Sequence, residues 1–181
     1  METKRVVLLR GINVGGRHAV PMSELGDLAA SVGLRNPVTY IQSGNLVFET
    51  NLDEAAIVDS LEPALESRFG FPIPVVVRTA AEFAAVAENH PLAGPDSDPR
   101  LLMVAFLDRR PTVNAAEVLD PIDYAPDRFQ LVGREVYLEY PNGSGRSKLN
   151  QPLLEQRLAV RATIRNWNTI TKLVELAEAE Q

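Results

Sequence analysis

Val38-Thr39-Tyr40-Ile41-Gln42-Ser43-Gly44-Asn45-Leu46-Val47-Phe48-Glu49 holds two short runs of β-branched and aromatic residues around Ser43-Gly44-Asn45. Glycine and asparagine tolerate the backbone of tight turns, so the stretch reads as a β-hairpin. Its setting decides the fold. Upstream lies an apolar strand over 6–9, then a helix that Pro21 opens and Gly33 ends. Met22, Leu25, Leu28, Ala29 and Val32 repeat along that helix with helical period. Downstream, Asp53 caps a helix with Ile57, Val58, Leu61, Leu65 and Phe69 inward, and Gly70 stops it. Pro63 inside this helix predicts a kink or a late start. Residues 73–78 read as a strand, and Thr79-Ala80-Ala81-Glu82 is a capping box opening a trailing helix. The order is β-α-β-β-α-β, the split βαβ or ferredoxin-like pattern.

The pattern then repeats. Residues 91–100, rich in Pro, Gly and Asp, read as a linker between a unit over 1–90 and a second over 101–181. A strand over 101–107 is followed by one or two helical turns within 112–119. Strands over 127–132 and 135–140 flank Gly133-Arg134 as a second hairpin. Ser147 is expected to cap a helix carrying Leu149, Leu153, Leu154 and Leu158. A strand over 160–165 and a helix with Ile170, Leu173, Val174 and Ala177 on one face complete the unit. The third strands match in pattern, Leu46-Val47-Phe48-Glu49 beside Val136-Tyr137-Leu138-Glu139. The fold class is therefore α+β, with two ferredoxin-like α/β plaits in tandem, each an antiparallel sheet with a trailing helix.

In this topology the loop after the first strand shares a sheet end with the first hairpin turn. That places Arg10, Gly11, Asn13, Gly15 and Gly16 near Ser43, Gly44 and Asn45. In the second unit the loop after the third strand shares an end with the close of the fourth. That end is expected to gather Arg146, Ser147 and Lys148 with Arg165, Asn166, Trp167 and Asn168. Two Gly-rich, basic clusters result. Arginine is a forked donor for phosphate or carboxylate, and glycine allows close backbone approach. The competing reading makes the glycines turn formers and the asparagines local backbone partners, with Ser147 and Asn168 or Thr169 as helix caps. It makes Trp167 a core residue.

Composition excludes several classes. The chain has 181 residues and no cysteine, which removes disulfides, thiolate nucleophiles and sulfur-based zinc sites. His18 and His90 are the sole histidines, and no metal is expected. No run approaches the roughly 18 apolar residues a membrane span needs, and the first apolar run is too short for a secretory leader to be expected, so a cytoplasmic setting is expected. Net charge is −6, which disfavours nucleic acid as a partner, although residues 134–172 carry a local +4. Gly11 to His18 superficially suggests a phosphate-binding Walker loop, but Arg17 and His18 stand where Lys and Ser/Thr belong. Ser43 is not in a nucleophile elbow. Asp96, Asp98, Asp120, Asp123 and Asp127 lie in Pro-rich loops and read as turn formers.

Leu8-Leu9-Arg10-Gly11-Ile12-Asn13-Val14-Gly15-Gly16, Pro21-Met22 with Leu25, and residues 39–48 together resemble the bacterial family known as domain of unknown function 1697. Gly145-Arg146-Ser147-Lys148-Leu149 and residues 162–169 are similar to its C-terminal signature, with Ile164 where a second threonine is common. The resemblance covers nearly the whole chain. It implies ferredoxin-like units and a bacterial cytoplasmic protein, and it brings no activity, cofactor or catalytic residue.

Function is read from the clusters. The expectation is a binding module for an anionic, phosphorylated or nucleotide-like small molecule. The alternatives are single-stranded nucleic-acid binding, and a hydrolase or transferase using His18 or a serine. A scaffold that dimerises through exposed sheet would leave both clusters as turn chemistry. Cofactor and oligomeric state are left open, and no catalytic constellation is recognisable.

Overall fold

The structure is a computed structural model and describes residues 3–88, 90–119 and 123–179. The turn expected at Asp120 lies outside the described residues. The chain gathers into two compact units, Met1–Ala84 with Lys172–Gln181 and Ala85–Thr171, so segment 91–100 falls within the second.

The first unit opens with β1 (Thr3–Leu9), α1 (Met22–Ser31), β2 (Arg35–Tyr40) and β3 (Asn45–Thr50). It continues through α2 (Glu54–Phe69) and β4 (Val75–Thr79) into α3 (Ala80–Glu88). Its sheet has the order β2-β3-β1-β4 with every neighbouring pair antiparallel. Val7 and Leu9 of β1 pack with Leu25, Ile57, Leu61 and Leu65 of the helices. Val6 and Leu8 point to the other face and are buried too. A strand covered on both faces reads as a continuous apolar run, as residues 6–9 do.

Local chemistry sets the helix ends. The Asp53 carboxylate accepts the Ala56 N–H at 2.8 Å. Gly70, at φ +81°, closes the same helix by donating to Glu66. Pro63 neither delays nor divides α2, which runs unbroken through it. The capping box is formed: the Glu82 N–H donates to Thr79 Oγ1 at 3.0 Å, and the Thr79 N–H donates to the Glu82 carboxylate at 2.9 Å.

The second unit contains β5 (Leu102–Leu107), α4 (Ala115–Leu119), β6 (Arg128–Val132), β7 (Glu135–Glu139), α5 (Gln151–Leu158) and β8 (Ala162–Asn166). From there the chain enters α6 (Trp167–Glu178). Sheet order is β6-β7-β5-β8, again antiparallel throughout, so both sheets have the ferredoxin-like order. Ala105 and Leu107 of β5 pack with Leu119, Leu149, Leu154 and Leu158. The cap of α5 differs from expectation. Asn150 accepts the Leu153 N–H at 3.1 Å, while Ser147 stands three residues earlier at the end of a single 3-10 turn, Ser144–Arg146. Asn166, rather than Asn168 or Thr169, caps α6 by accepting the Asn168 N–H at 3.0 Å.

Candidate functional site

The first unit brings its expected residues together. Strand register places Leu8 opposite Asn45 and Leu9 opposite Val75, so the chain leaving β1 passes the hairpin turn and the start of β4. The Leu9 N–H donates to Gly44 O at 2.8 Å and the Arg10 N–H to Pro74 O at 2.9 Å. Asn13 pins the loop. Its Nδ2 donates to Val20 O at 3.0 Å and to Gln42 O at 2.8 Å, and its Oδ1 accepts the Val20 N–H at 2.8 Å. Asn45 is fully buried and donates to Tyr40 O at 2.8 Å and Ser43 Oγ at 3.0 Å. Gly15 and Gly16, at φ +58° and +73°, form a tight turn closed by the Arg17 N–H on Val14 O. The Asn13 amide thus holds the loop to the hairpin, and the Asn45 amide braces the hairpin turn itself. Arg10 is half-buried, and Arg17 is exposed with no side-chain ion pair among the described residues.

His18 belongs to the same loop. Its ring stacks on Phe71 at 4.5 Å between centroids, with Nδ1 3.1 Å from Gly11 O. Ser43 Oγ is the hydroxyl that accepts from Asn45.

In the second unit the polar residues divide into two places. Arg146, Ser147 and Lys148 line a cleft of about 670 Å³ with Asn142, Gly143 and Gly145. The opposite wall is residues 123–127, a segment reached across the β6–β7 hairpin. Ser147 ties the walls together: its hydroxyl donates to Asp127 at 2.5 Å and accepts the Leu149 N–H at 2.9 Å. Tyr140 supports the loop from below, its buried hydroxyl donating to Leu149 O at 2.7 Å. Arg146 and Lys148 are exposed, and neither side chain makes an ion pair or hydrogen bond among the described residues. Free cations on a cleft wall can take an anionic ligand without first breaking a protein contact.

Arg165, Asn166, Trp167 and Asn168 do not line this cleft, so the expected second cluster is not one site. Arg165 lies inside the fold, donating to Thr163 Oγ1 at 2.7 Å and Ile164 O at 2.9 Å, and burial pushes its pKa down to about 10. Asn166 Nδ2 donates to Arg100 O at 3.0 Å, fastening the end of β8 to the start of β5. The physical reason is strand order: β5 lies between β7 and β8, and side chains on β8 alternate between faces rather than point along the sheet end.

Trp167 has a different partner. It meets His90 edge-on at 5.1 Å, and Tyr137 meets the same imidazole edge-on, also at 5.1 Å. His90 Nε2 lies 3.2 Å from Met103 O, and the Leu92 N–H approaches Nδ1 at 3.4 Å, which favours the neutral Nε2–H tautomer. Burial pushes the imidazole below its ordinary value of 6.5. The folded state therefore binds this proton less tightly than the unfolded chain. Its contribution to stability is complete above the unfolded value and declines as pH falls through the folded one. Chemical denaturation of the wild type is expected to show stability falling from about pH 7 to pH 5, and His90→Gln to remove the His90 share of that slope. Parallel profiles for the two proteins would contradict this assignment.

Sequence reasoning missed Asp127 as the partner of Ser147, the 123–127 wall, and the buried position of His90. Asp127 read as one of several turn-forming carboxylates, and no local pattern couples it to a serine twenty residues on.

The chain belongs to the family described as Protein of unknown function (DUF1697), whose model matches residues 2–137. The matched residues contain the Arg10–Asn45 loop and hairpin and end before Arg146. The fold is similar to that of the conserved bacterial protein SP0830 from Streptococcus pneumoniae. That likeness has a TM-score of 0.70 at 22% identity and covers 98% of this chain and 100% of the other. No curated protein matches the chain. Among the described residues no helix is long and apolar enough to cross a membrane, and no three His, Asp or Glu side chains are grouped to hold a metal ion.

Proposed function

We propose that this bacterial family member is a binding module for an anionic, phosphorylated small molecule, held in the cleft beside Arg146 and Lys148. The observation that carries the reading is a cleft of about 670 Å³ with two exposed cations on its Gly-rich wall, neither bound to a protein acceptor among the described residues. Guanidinium and ammonium groups form charge-assisted hydrogen bonds to phosphate, roughly twice as strong as neutral ones. The walls are already joined by the Ser147–Asp127 bond, so a ligand would meet a preformed site with little ordering cost. A cytoplasmic setting accords with the absence of cysteine.

The two central strands of the second sheet support small-molecule recognition rather than the binding of a nucleic-acid strand. Phe106 and Tyr137 are buried, so they do not offer the open platform on which unpaired bases stack. The serine–histidine arrangement of a hydrolase is not favoured by the partners observed. Ser147 bonds Asp127, and the His18 imidazole faces Gly11 O and Phe71.

The test is titration calorimetry with inorganic phosphate at low ionic strength. Wild type is expected to bind in the millimolar range, with the Arg146→Ala/Lys148→Ala double variant weakened about tenfold or more, equivalent to ~1.4 kcal/mol or more. Equal binding by both proteins, or none by wild type, would sink the reading.

A further inference from the structure

We infer that the ligand of this cleft is a nucleoside monophosphate, recognised at both its phosphate and its base. This rests on the anion-binding reading above. A second cleft of about 490 Å³ adjoins the first, and residues 123–127 form a wall of both. Its remaining lining is Leu92, Arg128 and Phe129. Arg128 is held by Glu139 and by Leu92 O, which leaves the side chains of Leu92, Pro126 and Phe129 to give this cleft its apolar character. Phe129 is itself fixed edge-on against Tyr124 at 5.8 Å.

Size and charge together select the ligand class. Ligand clefts of about 300–1,000 Å³ hold molecules far larger than one inorganic phosphate. Of the two clefts, the first carries the cations that are free among the described residues, so the anionic group belongs there. Asp123 and Asp127 are common to both clefts and sit between the basic and the apolar ends. Asp123 is exposed, with one oxygen accepting the Ala125 N–H at 3.0 Å, and its carboxylate keeps capacity for ligand hydroxyl donors. A vicinal diol such as a ribose supplies such donors. A flat, weakly polar ring system suits Leu92, Pro126 and Phe129.

The same carboxylates limit the phosphate count. Two cations and two carboxylates line the first cleft, so it is close to neutral and has no reserve of positive charge for a triphosphate. One phosphate is met directly by Arg146 and Lys148, whereas further phosphates would approach Asp123 or Asp127.

Titrations with inorganic phosphate, ribose 5-phosphate, AMP and ATP test this. The expected order is AMP tightest, at least tenfold tighter than phosphate, with ribose 5-phosphate between them and ATP weaker than AMP. Leu92→Asp, which places a charge in the apolar cleft, is expected to bring AMP to within about threefold of phosphate while phosphate binding itself is unchanged. Phosphate binding with AMP no tighter would overturn this inference and leave anion binding standing. AMP binding that Leu92→Asp does not weaken would overturn the placement of the base. No binding of phosphate or AMP would end both readings.

Discussion

Gly44→Ala is expected to unfold much of the first unit's stability, by about 2–4 kcal/mol. Gly44 is buried in the turn between β2 and β3 at φ +81°, a conformation that L side chains rarely adopt. A Cβ there would stand 2.5 Å from Ile12 Cδ1 and 2.9 Å from Leu9 Cβ. Ile12 could rotate away, but the Leu9 Cβ is fixed by its strand, and Leu9 also donates its N–H to Gly44 O. Neither the backbone nor the neighbour can relax alone, so strain and overpacking add. Urea denaturation followed by circular dichroism measures the loss. Gly33→Ala provides the control: Gly33 has φ +88° but nothing within 4 Å of the added carbon, so it should carry only the backbone share. If both variants lose the same amount, close packing against Leu9 and Ile12 is not the cause.

The second large effect is expected at Asn13. Asn13→Ala removes the amide that joins the Gly-rich loop to Gln42 O and to both backbone groups of Val20. Leaving these partners unsatisfied in a half-buried position costs about 1–3 kcal/mol. Alanine must also take up φ +53°, which adds roughly 1–2 kcal/mol. Asn13→Gly accepts that φ freely, so it should lose the hydrogen bonds alone and be the more stable of the two. Denaturant midpoints for the pair separate the contributions, and an alanine variant as stable as the glycine one would rule out the backbone share. Because the loop lies in the first unit, neither substitution should alter phosphate binding at Arg146 and Lys148.

Much of the fold was legible because its signals are local. The capping box at Thr79–Glu82, the Asp53 cap and the left-handed Gly70 each act within a few residues of chain. The hairpin at Ser43–Asn45 has the same character, and the α/β order follows from hydrophobic periods in single segments. The juxtaposition of Arg10–Asn13 with Ser43–Asn45 was legible one level up, since strand order alone brings those segments to one sheet end. Misreadings came where several polar residues competed for one role. Ser147, Asn150, Asn166 and Asn168 are all competent caps, and packing of the following helix decides which is used.

What the sequence determined by itself is therefore the tandem α+β architecture, its turn positions and the face each helix turns inward. These depend on short-range sterics and on the burial of periodic apolar residues. Tertiary structure alone decided which polar residues remain free for a ligand. Asn13, Asn45 and Arg165 have the chemistry of site residues, yet Asn13 holds loop to hairpin, Asn45 braces the hairpin turn and the arginine is buried with Thr163. Arg146 and Lys148 have no partner among the described residues and stand beside a wall, residues 123–127, that no spacing rule assigns to them. A polar group's availability depends on the acceptors that distant segments bring within about 3 Å, and hydrogen bonds of that range are set by the assembled fold.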